Sequence, residues 1–195
     1  RFGYEDQGQT ANTQLAIFDY GESLLVFDVR GLAGESNMGV SNHVYFNENK
    51  KQLSSKSHGL EGIKDPLADR GEVDVFENFI QAVRNRKEEH LDAHVYEGHV
   101  SSGLCHLANV SYRLGEKTGL SSRNNSFVNN QTASEYFGRM QEHLKENGLK
   151  LENTDYIVGR TLEFDGATEK IKGDKVANQL LSATYRPPYV VPKRI

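Results

Sequence analysis

The sequence predicts a chain of mixed helices and strands, and three observations predict it. Residues 13–19 (TQLAIFD) and 23–30 (SLLVFDVR) are apolar runs flanking Tyr20-Gly21-Glu22, which is a hairpin signal. Apolar residues then change to helical spacing over 72–87 and 96–114. The 195 residues suit one large domain or at most two small ones and can bury a core without covalent staples. No repeat, low-complexity tract or domain boundary stands out, so residues 1–195 read as a single domain.

In chain order, Arg1-Phe2-Gly3-Tyr4 already reads as strand. In the hairpin, Leu15, Ile17 and Asp19 share one face, and Ala16, Phe18 and Tyr20 share the other. Bulk on both faces predicts cover on both sides, by helices or a partner subunit. Residues 40–47 form a third strand, and 48–71 an exposed loop with one short strand. Helix one, over 72–87, carries Phe76, Phe79, Ile80 and Val83 at helical spacing. Glu72 and Asp74 precede it and Arg84, Arg86 and Lys87 end it, an order that complements the helix dipole. Helix two starts near Tyr96 and stops at Gly115. Residues 116–132 are polar and read as loop. A third helix follows at 133–147, then a strand at 156–164, a short helix at 174–181 and an extended tail.

Composition excludes several classes. Lys plus Arg number 23 against 27 Asp plus Glu, a net charge of −4 with no basic block, which argues against nucleic acid. No apolar run approaches a membrane span. Cys105 is the only cysteine, so neither an internal disulfide nor a multi-thiolate zinc site can form. A lone cysteine on a helix is expected to be a small core residue.

Helix two is the most distinctive element. Val100, Leu104, Leu107, Ser111 and Leu114 follow the spacing of a buried stripe. His99, Ser102, His106, Asn109 and Arg113 line an adjoining face with short or directional polar side chains, where a solvated face would carry more Lys and Glu. Two readings stand: a polar wall of a pocket or interface, or a helix buried on most sides with its polar groups bonded to neighbouring backbone. His90, His94, His99 and His106 lie close in sequence, but none of their spacings that falls on a helix is the i, i+4 interval that would pair two ligands, and no HExxH is present. No metal is therefore expected.

A dinucleotide site needs a strand, a glycine-rich turn and a helix N-terminus, and no GxGxxG exists here. There is also no GxSxG, and adjacent Cys105 and His106 point in different directions on a helix.

Residues 78–87 (NFIQAVRNRK) and 98–115 (GHVSSGLCHLANVSYRLG) together resemble the C-terminal domain of the glucose-fructose oxidoreductase, inositol dehydrogenase and MocA family. That family carries an NFxxAVRxRK … GHxSxxLxHLxNxSYRLG run. The beginning (1–32) and the end (161–192) resemble the first strands and closing tail of a secreted bacterial subgroup, so three stretches match in order. The resemblance implies an α+β fold: a large, mainly antiparallel open sheet with helices packed on one face. It implies a fragment of a two-domain enzyme using NAD or NADP on sugars or polyols, with this domain forming a substrate-pocket wall and a homo-oligomer surface on the open sheet face. His99, His106, Asn109 and Arg113, with Asn78 and Arg84 on helix one, are the closest motif matches.

The family's Glu-Lys-Pro lysine and Asp-xxx-His pair are missing. Glu116-Lys117 runs into Thr118 and Glu169-Lys170 into Ile171, both in stretches that read as surface loop, and no His follows an Asp by four. The catalytic residues and the Rossmann half that binds the cofactor are thus expected upstream of Arg1. No cofactor, and no activity, is expected on this segment alone. The subgroup often carries an export signal, which implies a periplasmic or otherwise exported protein, with a cytoplasmic one as the alternative. An NAD-dependent glycosidase on the same plan, and a non-catalytic dimerisation or carbohydrate-binding module, remain as other functions.

Overall fold

The computed structural model describes residues 1–3, 5–33, 43–46, 51–54, 74–120, 127 and 129–191, with backbone alone for 43–46 and 51–54. Its contacts gather into two compact units: Arg1–Ala33 with Gly103–Ile195, and Gly34–Ser102.

In the first unit, β1 (Thr13–Asp19) and β2 (Leu24–Arg30) form the expected antiparallel hairpin, with Thr13 opposite Arg30 and Leu15 opposite Asp28. Gly21, at φ 84°, supplies the left-handed residue of the turn. Leu15 packs into the main core, built from Leu120, Phe137, Met140, Leu144, Leu151 and Tyr156. On the opposite face, the Gln14 side chain donates to the Ala108 carbonyl at 3.2 Å. The base of the hairpin is therefore engaged on both faces, while Tyr20 and Leu24 at its tip and Phe27 midway along β2 are exposed.

Helix α3 (Gln131–Glu146) supplies Phe137, Met140 and Leu144, one stripe at helical spacing. Asn130 caps its N-terminus, its side chain accepting from the Ala133 N–H at 2.9 Å. At the other end Gly148 turns left-handed, φ 79°, and the Leu149 N–H returns to the Leu144 carbonyl, seating Leu149 against the core. Asn130→Ala should cost about 1 kcal/mol of stability, read as a lower denaturant midpoint with unchanged slope. An unchanged midpoint would mean that the cap carries nothing.

A second cluster joins Val110 of α2 (Val95–Arg113), Ile171 and Ala177, with Leu107, Leu114, Leu162 and Leu181 around it. Here β7 (Phe164–Asp165) pairs with β8 (Lys170–Ile171), and α4 (Lys175–Gln179) follows. The Asn178 side chain accepts from the Ile171 N–H and donates to the Ile171 carbonyl, tying α4 to β8.

The strands do not form a large open sheet with helices on one face. They make four separate antiparallel pairs among the described residues: β1–β2; β3 (His43–Phe46) with β4 (Lys51–Ser54); β5 (Glu116–Gly119) with β6 (Asp155–Val158); and β7–β8. Apart from the hairpin, these strands are two to four residues long. These are shorter than the usual length of about five to six residues, and the seven-residue hairpin strands pair only with each other among the described residues.

Residues 116–119, read as loop, are strand, because β6 supplies a partner register that their polar sequence does not announce. The strand expected over 156–164 ends at Val158, where the chain closes onto α2. A Cβ at Gly159 would strike the Ser111 hydroxyl, and one at Gly115 the Val158 carbonyl. Ser111 fastens this junction, its hydroxyl donating to the Arg160 carbonyl and its carbonyl accepting from the Arg160 N–H. Arg1–Gly3 is not strand; instead Asn12 clamps Phe2 by accepting from its N–H and donating to its carbonyl. Of the strand expected over 40–47, residues 43–46 are strand and the rest lie outside the described residues. Of the loop expected over 48–71, only Lys51–Ser54 is described, and it is strand.

In the second unit, α1 (Val75–Asn85) ends at Arg86, left-handed at φ 54°, and a 3₁₀ turn spans Glu88–His90. Asn78 braces the link to α2. Its side chain donates to the His90 carbonyl at 2.9 Å and accepts from the Asp92 N–H at 3.1 Å. No described helix is long and apolar enough to cross a membrane.

Candidate functional site

Helix α2 carries all five polar residues singled out in the sequence, but their surroundings differ. In the second unit, His99 is exposed and its ring lies 6.4 Å from that of Tyr96. Ser102 is exposed, and its hydroxyl donates back to the Gly98 carbonyl at 2.7 Å, so its proton serves the helix itself. In the first unit, His106 and Arg113 are exposed and Asn109 is half-buried. The stripe read as buried is so only in part: Leu104, Leu107, Ser111 and Leu114 are half-buried, with Leu107 and Leu114 against the second cluster, while Val100 is 45% exposed and the buried residues of α2 are Ala108 and Val110. Cys105, expected in the core, is exposed.

The two matches on α1 part company. Asn78 has its side chain committed to backbone bracing, while Arg84 is exposed in the last turn. His94 is likewise structural: its Nδ1 accepts from the Tyr96 N–H at the start of α2, and its Nε2 lies 3.5 Å from Glu88. No three His, Cys, Asp or Glu side chains converge as a ligand set among the described residues. An open depression of about 380 Å³ beside Ala82 and Leu91 is edged by Arg86, Lys87, Glu88 and Glu89. It lacks enclosing walls.

The two lysines compared with the family's Glu-Lys-Pro motif lie at strand positions rather than in loops. Lys117 is on β5, 70% exposed and paired with Asp155 at 2.9 Å. Lys170 opens β8, just after Glu169 at φ 51°. The one described junction that resembles a dinucleotide turn is β8–Gly173–α4, and it does not fit a pyrophosphate. Asp174 already occupies that helix end, accepting from the Ala177 N–H, and pairs with Arg160 at 2.9 Å. The Ala177 bond, then Arg160, hold its carboxyl below the ordinary range, so a second anion there would meet a charge.

A polar cluster that the sequence did not reveal lies beneath the hairpin. Asp28 and Arg30 form an ion pair at 2.9 Å on the strand face that Thr13 and Leu15 share. His143 of α3 is buried, as is Thr13. Thr13 Oγ1, Asp28 Oδ1 and His143 Nε2 are buried without a hydrogen-bond partner. Desolvation, then the nearby Arg30 charge, push the imidazole below its ordinary pKa, against Glu146 and Asp28. The available signal was the placing of Thr13, Asp28 and Arg30 at inward positions of apolar strands.

No protein-family model matches the chain, nor does any curated protein or solved structure.

Proposed function

We propose that this chain is the substrate-side and oligomerisation domain of an NAD(P)-dependent oxidoreductase acting on sugars or polyols. The observation that carries the proposal is the ordered motif run over 78–87 and 98–115, flanked by matching stretches at both ends of the chain. Exposed His106 and Arg113 of the first unit offer directional donors of the kind that bind hydroxyl groups. The described β8–Gly173–α4 junction does not suit a dinucleotide, and the resemblance assigns NAD or NADP, with the catalytic residues, to a Rossmann domain of the parent protein. The parent protein is proposed to be exported.

The test is turnover by the product of the intact reading frame on a panel of sugars and polyols, followed by nicotinamide absorbance. Sugar-dependent reduction is expected, with the isolated 195-residue chain inactive. A reading frame without a glycine-rich strand–turn–helix ahead of Arg1, or turnover by the isolated chain, would overturn the proposal.

A further inference from the structure

Helix α1 is amphipathic, yet among the described residues its apolar stripe is largely exposed, with Phe79 and Val83 lining the open depression beside Leu91. Val75, Phe76, Phe79, Ile80 and Val83 are 46–74% exposed. The side turned to its own unit is instead that of Ala82, 5% exposed, and of Asn78, bonded to the 88–92 link. At 100° per residue Ala82 lies about a quarter turn, and Asn78 more than a third of a turn, from the stripe's centre. Five adjacent apolar side chains on one helix exceed the scattered exposure common on protein surfaces.

The stripe carries its own charge code. Glu77 and Arg84 are both exposed and stand seven residues apart, so they sit on the same flank, two turns from each other. In an antiparallel crossing of two identical helices, like flanks face each other. Such a crossing between Phe79 and Ile80 sets Phe76 against Val83 of the second copy. It also brings Glu77 alongside Arg84 of the second copy, and by two-fold symmetry the same pair forms twice. The acidic start of each helix then lies over the basic end of the other, which also opposes the helix dipoles. A parallel crossing would set this flank against the other flank and lose both pairs.

From this self-complementarity we infer that α1 is a homodimerisation surface, whose occupant is α1 of a second copy in antiparallel two-fold contact. The inference places the oligomer surface of the proposed function on a helix rather than on an open sheet face. It rests on that reading only for its biological setting, since association needs neither sugar nor nicotinamide.

The test is sedimentation equilibrium of the 195-residue chain and its variants. The chain should dimerise with micromolar affinity, as suits a short interface. Glu77→Arg alone and Arg84→Glu alone should each weaken the dimer roughly tenfold or more, by replacing two attractions with two repulsions. The double variant Glu77→Arg/Arg84→Glu should restore it, because the exchanged charges are again complementary. Phe79→Asp should leave a folded monomer. A chain that stays monomeric would overturn the inference, and so would single charge variants that dimerise normally or a folded double variant that does not recover. Any of these results would leave the oxidoreductase proposal standing, and failure of sugar turnover would leave the dimer standing.

Discussion

Leu144→Ala should destabilise the first unit by about 3 kcal/mol. Leu144 is fully buried in the cluster that joins α3 to Leu120, Leu151 and Tyr156. Truncation removes the transfer free energy of three carbons and leaves a hole that this core closes only in part. Phe137, which packs edge-on against Phe127 and tilted against Tyr156 at ring separations of 5.8 and 5.5 Å, cannot slide into the space without losing those contacts. For a unit of this size the loss corresponds to a fall of about 10 °C in melting temperature. Tyr20→Ala is the control. Tyr20 is a larger side chain of the same unit but 61% exposed, so its removal should change stability by less than about 0.5 kcal/mol. Thermal and urea unfolding of the two variants side by side decides the matter. A loss below about 1 kcal/mol for Leu144→Ala would show that α3 is not anchored as described.

The same contrast explains how much of the fold was legible in the sequence. The hairpin and helices α1, α2 and α3 lie within a few residues of where periodicity puts them, and glycines mark three of the four: Gly21 in the turn, Gly115 after α2 and Gly148 after α3. Periodicity gives an apolar face but not what covers it. Phe76, Phe79, Ile80 and Val83 repeat as regularly as Phe137, Met140 and Leu144, yet only the α3 set is buried. Strand β5 was illegible for a different reason. Glu116-Lys117-Thr118-Gly119 has no apolar alternation and is strand only through its register with β6, some forty residues away. The large open sheet came from resemblance alone, and nothing in strands of two to four residues announced it.

The candidate site was legible as residue types rather than as surroundings. Spacing puts His99, Ser102, His106, Asn109 and Arg113 at helical intervals, but it does not show that the Ser102 hydroxyl is spent on its own helix or that His106 and Arg113 are exposed. Asn78 matched the motif as well as any of these, and its side chain holds the link between α1 and α2. A polar residue on such a helix can thus serve the fold as readily as a ligand. The cluster of Thr13, Asp28, Arg30 and His143 escaped because its members are far apart in sequence and share no motif.

That cluster should make the protein acid-sensitive through one residue. The imidazole of His143 has its pKa lowered below the ordinary 6.5, first by burial and then by Arg30 of β2. Asp28 of β2 and Glu146 of α3 pull the other way without prevailing, and Thr13 of β1 adds a neutral hydroxyl. A base with a lowered folded pKa takes up its proton first in the unfolded chain. The folded state is therefore at full strength above about 6.5 and loses stability as the pH falls from there towards the folded pKa. The slope from this one group is at most about 1.4 kcal/mol per pH unit. Protonation would add a charge and a donor to a ring whose Nε2 already lacks a partner. Stability measured by urea unfolding should decline as pH falls below about 6.5, and His143→Gln should flatten that decline while changing stability little at pH 8. Titration of the ring by NMR gives an independent check. An imidazole titrating at or above 6.5 in the folded chain, or a His143→Gln variant with an unaltered acid limb, would remove this cluster as the source of acid sensitivity.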